Sequence, residues 1–250
     1  MDGVLWHDSE PIGNLPENFS AISSMGLKVT FATNNATKSV SEFQLKLASF
    51  GVEVHTEQIV TSAGATLRYI SKHYAPKSRV YVVGTNSLRE QVRKIGFIVL
   101  DDEKPTVADV VMVAMDPHIT YQKLANAGLL IRAGAQFIAT NTDTTYPTPQ
   151  GLMPGAGTMV AAVSAASGQE PLVIGKPQPT MFELAMEIMG TQPHETLCVG
   201  DRLETDVLGG LNAGCPTALV LGGVSTIEQA QTWQPKPTIV TKNLSSLLHD

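Results

Sequence analysis

Short, β-branched apolar runs alternate with longer amphipathic stretches along almost the whole chain, and no other feature restricts the fold as much. KVTFAT (28–33), QIV (58–60), RVYVVG (79–84), DVVMVAM (109–115), QFIAT (136–140), PLVIG (171–175), TLCVG (196–200), TALVLG (217–222) and TIV (238–240) read as strands, several closed by Gly. Helices are predicted between them at 39–50, 62–73, 87–95, 120–133, 157–167, 179–189 and 205–213, with Pro179 in a first turn and Gly190 as a stop. Such alternation implies α/β architecture with parallel sheets covered by helices on both faces. Chemistry in that class collects where strands end. At the front, ENFSAISSMG (17–26) reads as a helix feeding KVTFAT, and the strand expected ahead of it is missing from the sequence. A sheet without that central strand would carry two unpaired edges and an apolar slot.

KHYAPKSR (72–79) and SGQEP (167–171) are polar breaks. They divide the chain into a core, 1–77 with 171–250, and an inserted α/β segment, 78–170. The net charge of −6 leaves no basic surplus for gripping a nucleic-acid backbone. A small anion remains acceptable, because one Lys, helix N-termini and a cation suffice to hold it. No apolar run approaches the roughly 18 residues of a bilayer span, and no signal peptide is visible, so no membrane partner and a cytoplasmic location are expected. Cys198 and Cys215 read as buried thiols in a reducing compartment, with a disulfide between them as the lesser alternative. Met112, Met115, Met153 and Met159 read as core filler.

Four polar clusters stand at strand exits. They are Asp2-Gly3; Thr33, Asn34 and Asn35 of FATNNAT; Lys176 of VIGKPQP; and Asp201, Arg202 and Asp206 of CVGDRLETD. Each alone is an ordinary turn, cap or surface charge. Together they contain what phosphoryl transfer requires. Carboxylates hold a divalent cation, a Lys and hydrogen-bond donors take up phosphoryl charge, and a carboxylic acid moves a proton.

The ordered set Asp, Thr, Lys, Asp, with DGVLW, TNNAT, ATNTDTTYPTPQGLMPGAG, GKPQP and VGDRLETDVLGG, resembles the haloacid dehalogenase superfamily of aspartate-nucleophile phosphatases. The match spans nearly the whole chain and is nearest in form to the NagD-like and p-nitrophenyl-phosphatase-like branch with a large α/β cap. The resemblance implies a Rossmann-like doubly wound core and a set of roles. Asp2 would be the general acid/base and would offer a carbonyl to Mg²⁺. Gly3, Thr33, Asn34, Asn35, Lys176 and Arg202 would bind phosphate or substrate. Asp201 would ligate the metal directly and Asp206 through water or through its neighbours. Asn141, Asp143 and the TTYPTPQG turn (144–151), followed by DPH (116–118), would set specificity from the cap. His7, His55, His73, His194 and His249 show no metal-ligand spacing and receive no role.

The family's first motif is Asp-x-Asp, and its first Asp is the nucleophile. Here Met1 is the middle residue. Asp8 and Glu10, in a polar segment beyond Trp6, offer no substitute. Either the true start lies upstream, which the absent strand favours, or the chain is a relative without turnover. The expectation is thus a Mg²⁺-dependent hydrolase of small phosphate monoesters acting through an aspartyl-phosphate, impaired as written; a phosphate-binding pseudoenzyme is the alternative. A signalling receiver domain also combines Asp, Thr and Lys with Mg²⁺, but in a different order and about half the length. The resemblance adds a cap-mediated homodimer to the expectations.

Overall fold

Strands Arg79–Val83, Val110–Val113 and Gln136–Ala139 are apolar at nearly every position because both faces of the sheet they build are buried. In the computed structural model, which describes residues 1–36, 38–101, 103, 105–148 and 150–249, the strands Leu172–Val173, Gln136–Ala139, Val110–Val113, Arg79–Val83 and Ile98–Val99 lie in that spatial order. Each neighbouring pair is parallel. On one face Ala127, Leu130 and Ile131 of helix Tyr121–Arg132 and Met159, Val160 and Val163 of helix Ala156–Ser167 pack on Tyr81, Val83, Val111, Val113 and Phe137. Burying each such large apolar side chain is worth roughly 1.5–3 kcal/mol. Thr120 starts the first of these helices by accepting the Lys123 N–H at 3.2 Å.

This sheet belongs to one of two compact units, made of Asn34–Ser39 and Thr61–Gly175. The segment predicted as a Pro-rich turn is longer than a turn. Thr145–Thr148 and Gly151–Pro154 pair as an antiparallel hairpin, and Pro149 falls outside the described residues. Met153 sits on that hairpin 44% exposed, so it is not core filler, whereas Met112 and Met159 are buried.

The other unit comprises Met1–Thr33, Val40–Val60 and Lys176–Asp250. Cys198–Gly200, Thr217–Val220 and Ile239–Thr241 form a parallel three-stranded sheet, and Phe31–Thr33 pairs with Ile59–Thr61 in a separate ladder. Val4, Leu5 and Trp6 pack in one apolar cluster with Phe31, Ile59 and Val220, so the opening segment touches both ladders. A small hairpin, Trp6–His7 with Glu10–Pro11, leaves Asp8 and Glu10 exposed, as their polar surroundings imply. Gly190 stops helix Thr180–Met189 with a left-handed φ of 66°. Cys198 and Cys215 are buried free thiols beside Phe182 and Met186, not a disulfide. Burial, then the neighbouring Cys215, pushes the Cys198 thiol far above its ordinary range.

Helix 205–213 departs from prediction. A π turn, Leu203–Val207, precedes a short helix, Leu208–Asn212. The Arg202 carbonyl accepts both Asp206 N–H and Val207 N–H, at 2.9 and 3.2 Å. The widened turn brings the Asp206 carboxylate back to the Arg202 N–H at 3.2 Å. Such turns concentrate at functional sites. Among the described residues, no helix is long and apolar enough to cross a membrane.

Candidate active site

Asp201 follows strand Cys198–Gly200 directly and is 8% exposed. Its Oδ2 accepts the Val224 N–H at 2.9 Å, and its backbone carbonyl accepts the Ser225 N–H at 3.0 Å. Ser225 in turn accepts the Leu203 N–H through Oγ at 3.0 Å. Gly3 and Gly223 enclose the carboxylate so closely that a Cβ on either would overlap Asp201. Gly3 also has φ +71°, which disfavours any side chain.

Five residues on, Asp206 accepts Lys176 Nζ at 2.6 Å, an ion pair whose side chains are 9% and 14% exposed. Burial pushes the Asp206 carboxyl up, but Lys176, the Met1 α-amino group and the Arg202 N–H outweigh it and leave the group below its ordinary value. Asp201 moves the other way. Burial and then the charge of Asp206 raise it, against the Val224 N–H, the Met1 amine and Lys176. Asp201 and Asp206 thus share one buried lysine, which pairs with Asp206.

The Met1 α-amine shows how tightly the groups gather. Burial and Lys176 lower its pKa, while Asp206, Asp201 and Asp2 act in the opposite sense. Asp2, Lys176, Asp201 and Asp206 thus lie within electrostatic reach of one atom. Asp2 is exposed, and its backbone bridges Trp6. Thr33 is the last residue of strand Phe31–Thr33 and half-buried. Arg202 contributes the backbone groups that shape the π turn.

Asn34, Asn141 and Asp143 come together in the other unit. Asn141 Nδ2 donates to the Asn34 carbonyl at 2.9 Å, Asn34 Nδ2 donates to Asp143 Oδ1 at 3.3 Å, and the Asp143 N–H donates to Asn141 Oδ1 at 3.1 Å. Asn35 is exposed. Asp116 is 1% exposed, paired to Lys123 at 2.8 Å and accepting the His118 N–H at 2.9 Å.

Sequence reasoning missed Gly223, Val224 and Ser225, which follow strand Thr217–Val220. The signal was there, since GGVS stands at a strand exit. A backbone N–H, however, has no residue signature. Ser62, whose Oγ donates to the Asn34 carbonyl at 2.7 Å, was also missed.

A haloacid dehalogenase-like hydrolase model matches residues 1–98, and a HAD-hydrolase-like model matches 173–247. Acid sugar phosphatase from Staphylococcus aureus is 35% identical over 248 residues, covering 99% of this chain and 94% of the relative. The chain belongs to the haloacid dehalogenase-like hydrolases. Among solved members of the superfamily, p-nitrophenyl phosphatase from Archaeoglobus fulgidus superposes with TM-score 0.90 at 30% identity, covering 99% of this chain and 95% of that one. NagD from E. coli K-12 gives 0.88 at 31% identity, covering 98% and 94%. A glycerol phosphate phosphatase from Mycobacterium tuberculosis, in complex with magnesium, gives 0.90 at 35%, covering 100% of this chain and 75% of that one. These likenesses place the chain in the NagD-like, p-nitrophenyl-phosphatase-like branch. The five-stranded and three-stranded sheets are parallel and alternate with helices along the chain. The expected α/β class is therefore the observed one.

Proposed function

We propose that this chain is a Mg²⁺-assisted phosphatase of small-molecule phosphate monoesters. The observation that carries the reading is the gathering of Asp201 and Asp206 beside one buried lysine, Lys176, with Asp2 next in sequence to the Gly3 that abuts Asp201. Relatives named for sugar phosphates, glycerol phosphate and p-nitrophenyl phosphate support the same substrate class.

The donor set fits Mg²⁺. Two carboxylates lie together, both oxygen donors, and Asp201 is raised by burial and then by the charge of Asp206, which a cation would offset. Among the described residues, no group of three His, Cys, Asp or Glu forms a closed cage. That suits an ion usually held by one or two carboxylates, with waters and phosphate oxygens as further ligands. Asp201 would hold it directly, Asp206 through water, and Asp2 through its carbonyl. Bound there, the ion would draw off phosphoryl negative charge.

The remaining work belongs to the chain. Lys176 neutralises a phosphoryl oxygen as a compact charge, steered by its pair with Asp206. The Thr33 hydroxyl and the Asn34–Asn35 backbone donate to the phosphoryl group, and Arg202 faces the substrate. Asp2 protonates the leaving alcohol and then activates water. The attacking carboxylate belongs at the position immediately before Met1 and forms the aspartyl-phosphate. The inserted segment selects the ester's organic group.

Extended at its N-terminus by an apolar strand ending in Asp, the chain should hydrolyse p-nitrophenyl phosphate with Mg²⁺. Asp201→Ala in that extended chain should cut turnover at least ~1,000-fold. Undiminished turnover would remove Asp201 from the metal site.

A further inference from the structure

Both cysteines of the chain meet in one pocket of the unit that contains Lys176–Asp250. Cys198 comes from strand Cys198–Gly200, Cys215 from the turn between helix Leu208–Asn212 and strand Thr217–Val220, and Met186 from helix Thr180–Met189. Cys215 Sγ donates to Met186 Sδ at 3.7 Å. The two thiols are hydrogen-bonded neighbours, each acting on the other's ionisation. Cys198 is 7% exposed, Cys215 2% and Met186 7%, and Phe182 completes the cluster. Three sulfurs from three elements thus gather in apolar surroundings. The Ala213 carbonyl, 3.9 Å from Cys215 Sγ, also accepts from that weak donor.

The donor type decides what such a pocket can hold. Thiolate and thioether sulfur are soft ligands that select Cu(I) and ions like it, whereas Mg²⁺ takes oxygen. Size agrees. Sulfurs 3.7 Å apart around a trigonal centre would stand about 2.1 Å from it, close to the ~2.3 Å of a metal–thiolate bond. Met186 is unbranched and flexible, so it can supply the small opening that remains. Charge agrees as well. A monovalent ion takes the place of a thiol proton, and the apolar pocket gains no net charge. Cys215 stands next to exposed Gly214, one residue from solvent.

We propose that Cys198, Cys215 and Met186 form a binding site for a soft monovalent ion, Cu(I) or Ag(I). None of these side chains serves the phosphate chemistry above, so the two readings stand or fall separately. The surroundings of Cys198 are tight. A Cβ on Gly210 would lie 2.8 Å from Cys198 Cβ and 3.2 Å from its Sγ. An ion held here therefore ties together the strand, the turn and helix Thr180–Met189, and it stabilises the folded chain.

The test titrates silver nitrate, in chloride-free buffer, into the intact chain. Native mass spectrometry reads the stoichiometry, calorimetry the affinity and thermal unfolding the stability. One Ag⁺ per chain should bind and raise the melting temperature. Met186→Leu keeps the volume and both thiols, and should weaken binding at least ~10-fold. Cys215→Ser should weaken it at least ~100-fold. Equal Ag⁺ affinity in the parent and Met186→Leu overturns the inference, because the ion then binds a thiol alone. Two ions per chain, one on each cysteine, overturn it too. So does a falling melting temperature, which means that the ion favours the unfolded chain. Should Cys215→Ser fail to fold, the comparison of Met186→Leu with the parent decides the matter alone. Every one of these outcomes leaves the proposed Mg²⁺ site standing.

Discussion

At the carboxyl ends of their strands the two units handle polar side chains in opposite ways. In the inserted unit Thr85, Asp116 and Asn141 are each matched by partners within that unit. Thr85 accepts the Leu88 N–H at 3.3 Å, Asp116 is divided between Lys123 and the His118 N–H, and Asn141 closes its ring with Asn34. In the unit carrying Asp201, two carboxylates share one buried Lys: Asp206 pairs with it, and Asp201 is raised by burial and then by Asp206. The same strand–helix grammar thus ends in a balanced edge in one unit and an unbalanced one in the other. Position at a strand exit does not by itself make a residue reactive. Uncompensated charge is the stronger sign.

Three substitutions sharpen or break this contrast. The largest effect belongs to Lys176→Met, which leaves Asp206 buried without its partner and should remove about 3–5 kcal/mol of stability in urea titrations at neutral pH. Because the folded-state carboxyl of Asp206 is depressed, its contribution is full above the ordinary carboxylate range. It is lost as pH falls below that range through the depressed value. The deficit of Lys176→Met should therefore be largest at neutral pH and shrink as pH falls and Asp206 takes up a proton, and adding Asp206→Asn should restore most of the stability lost at neutral pH. A deficit that does not change with pH would show that the pair does not set the local charge balance. Asp201, being raised, titrates in the opposite sense: protonation favours the folded chain as pH falls through its value.

Asp116→Asn is the counterpart in the inserted unit. Lys123 is partly open to solvent, so the loss should be smaller, about 2 kcal/mol. Phosphate affinity measured by calorimetry should stay within about two-fold of the parent, since Asp116 is spent on its own turn and helix. A larger change would show that Asp116 does more than hold its own turn and helix. The smallest effect is expected for Thr85→Ala, where one helix cap is lost at about 1 kcal/mol, read as a lower melting temperature.

Much of the architecture was open to reading in advance because burial on two faces writes itself into composition. Val80–Val83 and Val110–Val113 could hardly be anything but interior strands. Asp201 and Lys176 were legible for a related reason, since charged residues directly after apolar runs stand out. The Thr145–Pro154 hairpin was harder to see, because Pro147 within it and Pro149 next but one in the sequence mimic a rigid turn. The π turn at Leu203–Val207 was invisible, since no residue type marks it, and Asp206 within it pairs with Lys176, 30 residues away along the chain. The use made of Asn141 and Asp143 was hidden too. Their partner Asn34 is over 100 residues away, with separations of 107 and 109. Long-range pairing of amides leaves no periodicity.

Gly3 and Gly223 press bare Cα atoms against Asp201. Where a side chain would overlap the carboxylate there is nothing to swap, so this wall has no room for gradual remodelling. A laboratory selection for altered ester preference should accumulate its changes elsewhere, and a library randomised at positions 3 and 223 should return the starting sequence.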